Sequence, residues 1–173
     1  MDFSIPASVE PVLVKMQAFV ERELYPIENQ ITPSTFTKLE PQLFELRKKV
    51  KAMGFWAPQV PKDLGGMGLS LLDHGLVSAV LGRSPVGHFV FGCQAPDAGN
   101  IEILAKFGTP EQKEKFLAPV IRGDLRGCFS MTEPDTAGSN PTQLKCSAVK
   151  DGGDYVINGR KWFTSAADGA AYA

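Results

Sequence analysis

Leu144-Lys145-Cys146-Ser147-Ala148-Val149, Asp151-Gly152-Gly153-Asp154 and Tyr155-Val156-Ile157 form the stretch in which this chain changes character. Apolar and polar residues alternate before a glycine pair held between two aspartates, and an apolar run follows it. That pattern predicts two strands joined by a tight hairpin. Working outward, Cys128-Phe129-Ser130-Met131 also alternates, and Asn158-Gly159 marks a second tight turn into Arg160 to Ala166. Three or four antiparallel strands are therefore expected after Arg126, with sheet edges left open.

Upstream of that point the period changes from two to between three and four. From Ala7 to about Asn29, the residues Val9, Val12, Leu13, Met16, Phe19, Val20, Leu24 and Ile27 outline one buried helical stripe, ended by Thr32-Pro33-Ser34. Leu39, Leu43, Leu46, Val50 and Met53 signal a second helix, closed by Gly54 in a left-handed conformation. Ala57 to Gly68 holds three glycines and two prolines and must be an ordered loop. Ser70-Leu71-Leu72-Asp73 resembles a capping box opening a helix to about Gly82, and another helix covers Pro96 to Lys106. Thr109-Pro110-Glu111-Gln112 combines an N-cap hydroxyl, a proline at the first helical position and a capping glutamine, and its helix ends near Gly123. The expected fold class is α+β: an all-α domain of five or six helices over residues 1–125, then the first strands of an antiparallel, barrel-like β domain over 126–173.

Composition narrows the function classes. The 173 residues are 43% hydrophobic and 21% charged, an ordinary globular balance. A net charge of -1 with interspersed signs gives no field to attract nucleic acid or anionic lipid. Cys93, Cys128 and Cys146 form neither a disulfide framework nor a zinc motif, which suits a reducing compartment. The N-terminus, from Met1-Asp2-Phe3 onward, lacks a signal-peptide pattern, and no stretch reaches the roughly 20 apolar residues of a membrane span. The chain reads as a soluble intracellular protein.

Several motifs carry a bland reading. Gly65-Gly66-Met67-Gly68 has no Walker lysine and no preceding apolar strand, so it reads as a structural turn. His74 and His88 lack metal-spaced partners, no metal site is assigned, and Cys128 and Cys146 read as small core residues. Glu133 is the most tempting acid in the chain, yet it precedes Pro134, so its backbone is extended and its carboxylate equally suits accepting backbone N–H bonds in a turn. The runs Met131 to Ser139 and Asn158 to Ser165 are more informative as a pair. Thr132, Ser139, Thr164 and Ser165 supply hydroxyls, Met131 and Thr132 backbone N–H groups, and Trp162 or Phe163 an aromatic face. A reduced flavin needs fixed donors at its pyrimidine edge and apolar cover on one face. The same residues also serve as ordinary strand and turn positions.

Met131-Thr132-Glu133-Pro134, Gly138-Ser139, Asp154 to Gly159 and Lys161-Trp162-Phe163-Thr164-Ser165 resemble the acyl-CoA dehydrogenase family. Pro61 to Leu69 and Lys106 to Lys113 resemble the same family's loop and capped helix, in the same order. The resemblance implies an N-terminal helical domain and a central β domain. The family's C-terminal four-helix domain has no counterpart here. It implies FAD as cofactor and α,β-desaturation of an acyl-CoA, in which a glutamate removes the α-proton as hydride passes to flavin N5. That glutamate usually lies in the C-terminal domain, so no catalytic residue is assigned. Carried over by position, Phe129, Met131 and Thr132 would line the flavin, and Ser139, helped by the permissive backbone of Gly138, would approach the pyrophosphate. Phe163 would be the aromatic residue against the ring, with Trp162 its alternative. Ser165 would bring a hydroxyl toward N5 beside Thr164. Phe91 and Gln94, with Ser139, would contact substrate.

The resemblance also implies an acyl-CoA substrate, an electron-transferring flavoprotein as acceptor, a homo-oligomer, and a cytoplasmic location, or mitochondrial matrix or peroxisome in a eukaryote. Nucleic-acid partners are not expected. Asp135-Thr136-Ala137-Gly138 carries one residue more than the common Gly-x-Gly form. It resembles a subgroup similar to dehydrogenase domains fused to kinase-like domains, some acting on long or hydroxylated acyl-CoAs. The alternatives are an acyl-CoA oxidase or flavin-dependent monooxygenase of the same fold, or a non-catalytic interaction module.

Overall fold

The computed structural model describes residues 4–32 and 34–173. The expectations placed on Met1-Asp2-Phe3 and on Pro33 lie outside the described residues. The chain divides into two compact units, Met1–Asp124 and Leu125–Ala173.

The first unit is helical. Helix α1 (Glu10–Phe19) runs into a π-helical turn, Val20–Leu24, and a 3-10 stretch, Tyr25–Gln30. A single regular helix was expected here. Pro26 has no N–H to continue an α-helical ladder, and the wider π turn still brings Leu24 and Ile27 inward. Seven of the eight predicted stripe residues, Val9, Leu13, Met16, Phe19, Val20, Leu24 and Ile27, are buried, and Val12 is half-buried. Helix α2 spans Phe36–Ala52 and α3 spans Leu71–Leu81. Ser70 accepts the Asp73 N–H at 3.1 Å, but the Asp73 carboxylate takes the Ser70 hydroxyl at 2.8 Å, so the cap is only half a capping box. A short helix absent from the sequence reading, α4 (Gly87–Phe91), precedes α5 (Asp97–Phe107). Thr109 and Gln112 form the complete reciprocal box at α6 (Pro110–Gln112), which continues through a π turn, Lys113–Leu117, into α7 (Ala118–Arg122).

The glycine loop bonds to itself. Gly66 donates to the Pro61 carbonyl, Met67 to Ala57, Gly68 to Val60 and Leu69 to Pro58, at 2.8 to 3.3 Å. Those N–H groups are committed internally and form no cradle for an anion.

Trp56 ties the helices together. The guanidinium of Arg47, itself 6% exposed, lies 4.7 Å from the Trp56 ring, 4.7 Å from Phe89 and 5.2 Å from Phe44. The Lys51 ammonium lies 4.6 Å from the same indole and donates to the Arg122 carbonyl. Burial, then the Arg47 charge, hold Lys51 below the usual lysine range. Trp56 Nε1 donates to the Ile121 carbonyl at 2.7 Å. At Gly92, whose φ is +71°, a Cβ would fall 2.6 Å from the indole, so only glycine lets α4 end there.

The second unit holds one regular sheet, a hairpin of β1 (Ser147–Asp151) and β2 (Asp154–Asn158). Its register pairs Ser147 with Asn158, Val149 with Val156 and Asp151 with Asp154 around Gly152-Gly153, as the sequence predicts. The expected third and fourth strands are not regular strands. Lys145 and Cys146 direct their N–H groups to a side chain, which delays β1 to Ser147, and positive φ at Phe163 and Ala166 interrupts the Arg160 to Ala166 run. Asn158-Gly159 is not a tight turn either. A Cβ on Gly159 would lie 2.6 Å from Cys146 Sγ, so this glycine serves a close approach. Cys128 is buried, whereas Cys146 is half-exposed, not the core residue expected. Gly127 and Tyr172 form an isolated parallel bridge. Among the described residues no helix is long and apolar enough to cross a membrane.

Replacing Trp56 by Phe removes the buried donor to the Ile121 carbonyl and narrows the face that Arg47 covers. The unfolding free energy in a urea titration should fall by about 1–3 kcal/mol, the cost of leaving a buried polar group unpaired.

Candidate cofactor-binding site

The two polar and aromatic segments of the second unit lie side by side. Trp162 N–H donates to the Thr132 carbonyl at 3.1 Å, and the Thr164 and Ser130 hydroxyls are 3.3 Å apart. These pairs run antiparallel in register, so Met131 falls between them on one segment and Phe163 on the other. Lys161 Nζ adds two bonds, to the Met131 carbonyl and to Glu133 Oε1, both at 2.9 Å. The Gly138 backbone comes alongside, since a Cβ there would sit 3.6 Å from Thr132 Cγ2. That is ordinary van der Waals contact and Gly138 does not take a positive φ, so the permissive backbone expected of it is not used.

Glu133 sits at the junction. Its side chain is 5% exposed, and its carboxylate accepts the Lys145 N–H at 2.7 Å, the Cys146 N–H at 2.8 Å and the Lys161 ammonium. The Lys145 N–H, then Lys161, then the Cys146 N–H lower its pKa to about 2. A carboxylate held in that way is a structural acceptor, as the residue before Pro134 suggested, and is a poor proton donor or acceptor near neutral pH.

The aromatic residues face outward. Trp162 is 42% and Phe163 78% exposed, with ring centroids 4.7 Å apart and planes tilted by 45°. Phe163 has φ +51°, a left-handed conformation that costs a bulky residue about 1–3 kcal/mol and persists only where neighbouring bonds hold it. Phe129 is half exposed, and Met131 is exposed at 39%. Ser139 and Ser165 are exposed, and Thr132 and Thr164 half-buried. The structure thus brings Met131, Thr132, Gly138, Trp162, Phe163 and Thr164 together. Phe129 and Ser165 continue the same two segments one residue beyond the Ser130 and Thr164 pair. Two hydroxyls went unassigned in the sequence. Ser130 is the partner of Thr164, and the enclosed Thr136 hydroxyl has no bonding partner among the described residues. Thr136 lies in the one-residue expansion of the motif, the only signal that singles it out.

The substrate-contact residues expected upstream belong to the first unit. Phe91 is 0% exposed and packs edge-on against Phe19 at 5.4 Å, so its ring is occupied as a core residue and does not line a pocket in this unit. Gln94 is half-buried, and its carbonyl accepts the Ala98 N–H. Two clefts of this unit lie elsewhere. One of about 560 Å³ is lined by Lys51, Trp56, Gly66 and Arg122, and another of about 400 Å³ by Gln59, Val60, Ile101 and Ala105. His74 and His88 of this unit are half-buried, and burial lowers both pKa values. Burial also pushes the Cys93 thiol up to about 12, so it is unreactive. Among the described residues no three metal-ligating side chains converge.

Residues 10–124 match the sequence model of the acyl-CoA dehydrogenase N-terminal domain, and residues 128–173 that of the middle domain. The chain belongs to the acyl-CoA dehydrogenase family. It is 39% identical over 166 residues to acyl-CoA dehydrogenase family member 11 of Gallus gallus, a match covering 91% of this chain and 21% of that protein. A solved structure from Mycobacterium abscessus, described as an acyl-CoA dehydrogenase candidate, superposes with a TM-score of 0.86 at 35% identity. That match covers 94% of this chain and 43% of the other. PigA solved with FAD and proline superposes with a TM-score of 0.67 at 28% identity, covering 95% and 42%. The chain therefore spans about a fifth of the curated acyl-CoA dehydrogenase relative and under half of the solved ones.

The depressed Glu133 pKa has a signed consequence. Its value in the folded chain lies below the ordinary 4.5, so its bonds stabilise the unit fully above about pH 4.5 and are lost as pH falls through about 2. In an acid titration followed by NMR, the Lys145 and Cys146 amide shifts should move with a midpoint near 2. A midpoint near 4.5 would show that the carboxylate does not hold those N–H groups.

Proposed function

We propose that this chain supplies the helical domain and the flavin-facing segments of an FAD-dependent acyl-CoA dehydrogenase that desaturates an acyl-CoA thioester between its α and β carbons. The observation that carries this reading is the side-by-side placement of segments 129–132 and 161–165, with their aromatic rings exposed and their hydroxyls grouped beside them. A flavin fits these residues because the Trp162 and Phe163 rings offer apolar surface that their own unit does not cover. When bound, the flavin would supply the hydride acceptor. Phe163 would cover one ring face, Met131 and Phe129 would border it, and Thr132, Thr164 and Ser165 would aim donors at its polar edge. Ser139 would meet the pyrophosphate. The exposed rings and hydroxyls exclude water and fix orientation only when the ring lies on them, which is how a protein tunes a cofactor's electronics without performing its chemistry.

The same reading extends to an acyl-CoA substrate, an electron-transferring flavoprotein as acceptor, a homo-oligomer and a cytoplasmic location. Family membership supports the first three.

The full product of the gene, purified with FAD, should show flavin absorption bands that bleach on anaerobic addition of an acyl-CoA, with release of the 2-enoyl thioester. Bound FAD that no acyl-CoA of any chain length reduces would overturn the dehydrogenase reading. Phe163→Ala should raise the FAD Kd about threefold to tenfold in a fluorescence titration, the worth of one aromatic stacking contact.

A further inference from the structure

We propose that Glu133 and Lys161 form a positioning clamp that sets the ring-bearing segment Trp162–Ser165 against Met131 and Thr132. The proposal rests on the flavin reading above for its purpose, but not for its geometry. One backbone hydrogen bond, from Trp162 N–H to the Thr132 carbonyl, joins the two segments directly. A single bond leaves each segment free to pivot about it. The remaining connections run through side chains, and Lys161 makes two of them, to the Met131 carbonyl and to Glu133. Glu133 is anchored in turn by the Lys145 and Cys146 N–H groups just before β1, so the clamp joins three stretches of chain.

Its environment separates this ion pair from the others. The Glu133 and Lys161 side chains are 5% and 23% exposed, whereas Lys48–Glu45 and Arg122–Asp124 are more than half exposed at both ends. Surface pairs of that kind contribute little, while removing one partner of an enclosed pair leaves a charge without compensation. The clamp also lies on one side of the strained residue, with a second bond on the other. Phe163, at φ +51°, is preceded by the Lys161 and Trp162 bonds and followed by the Thr164 hydroxyl's bond to Ser130. Bonds on both sides of a left-handed aromatic residue are what such a conformation needs to persist. Glu133 and Lys161 act through the backbone that carries the rings.

The test compares Lys161→Met, Lys161→Arg and Glu133→Gln in the full chain. It reads hydrogen exchange at the Trp162 amide by NMR and the FAD Kd by fluorescence titration. Lys161→Met should speed exchange at Trp162 tenfold or more and raise the Kd at least tenfold, with the β1–β2 amides and those of residues 10–124 unchanged. Lys161→Arg, which keeps a cation able to reach both acceptors, should return both readouts to within threefold of the native chain. Exchange at Trp162 that stays at the native rate in Lys161→Met would overturn the clamp. So would acceleration spread evenly over residues 125–173, because the pair would then only support the unit as a whole. Should Glu133→Gln fail to fold, the two Lys161 variants decide the matter. If the native chain takes up no FAD, the flavin reading fails, and exchange at Trp162 still decides the clamp.

Discussion

The Glu133 carboxylate is enclosed, ionised and bonded to three donors from two other parts of the second unit. A buried carboxylate with fewer partners would carry a large desolvation cost, so its position and those of its donors constrain one another. The start of β1 at Ser147, the approach of segment 161–165 to segment 130–133, and the left-handed Phe163 all depend on it. The chemistry proposed for the site lives one step further out, on rings and hydroxyls whose orientation those bonds set.

The two units reach order by different means. In the first, a long apolar stripe and an indole enclosed by Arg47, Lys51 and Gly92 supply close packing, with Phe19, Phe91, Met16 and Leu24 fully buried. Among the described residues of the second, Cys128 is the single buried apolar side chain, while Tyr155, Ile157, Trp162 and Phe163 are among its exposed ones. Its order therefore comes mainly from hydrogen bonds: the β1–β2 ladder, the Glu133 junction and the bonds between segments. A unit built that way leaves its aromatic faces available, which is the property a ring-binding surface needs.

Much of this was legible in the sequence because the signals are local. The stripe from Val9 to Ile27, the Thr109–Gln112 capping box and the Asp151–Asp154 hairpin each depend on residues within a few positions of one another, and each is present. The two-segment site was legible as a pair of motifs, and Glu133 as a turn acceptor. Less legible was whatever depends on distant partners. Segments 128–131 and 160–166 alternate like strands, yet the one backbone bond beside them, from Trp162 N–H to the Thr132 carbonyl, falls past the end of the first, and Lys145, Cys146 and Lys161 are drawn to a carboxylate. Phe91 looked available to substrate, and Phe19, 72 positions away in the chain, covers it.

By itself the sequence determined a helical unit followed by a β unit, the family, and the two motif-bearing segments that lie side by side in the second unit, since period, caps and turn residues act over a few positions. Only the tertiary structure decided that Phe91 is core, that Trp56 is the junction of the helical unit, and that Glu133 holds the site's segments together. Each of those roles is fixed by groups remote in sequence that share one small volume, where burial and hydrogen-bond satisfaction, not local propensity, select the partner.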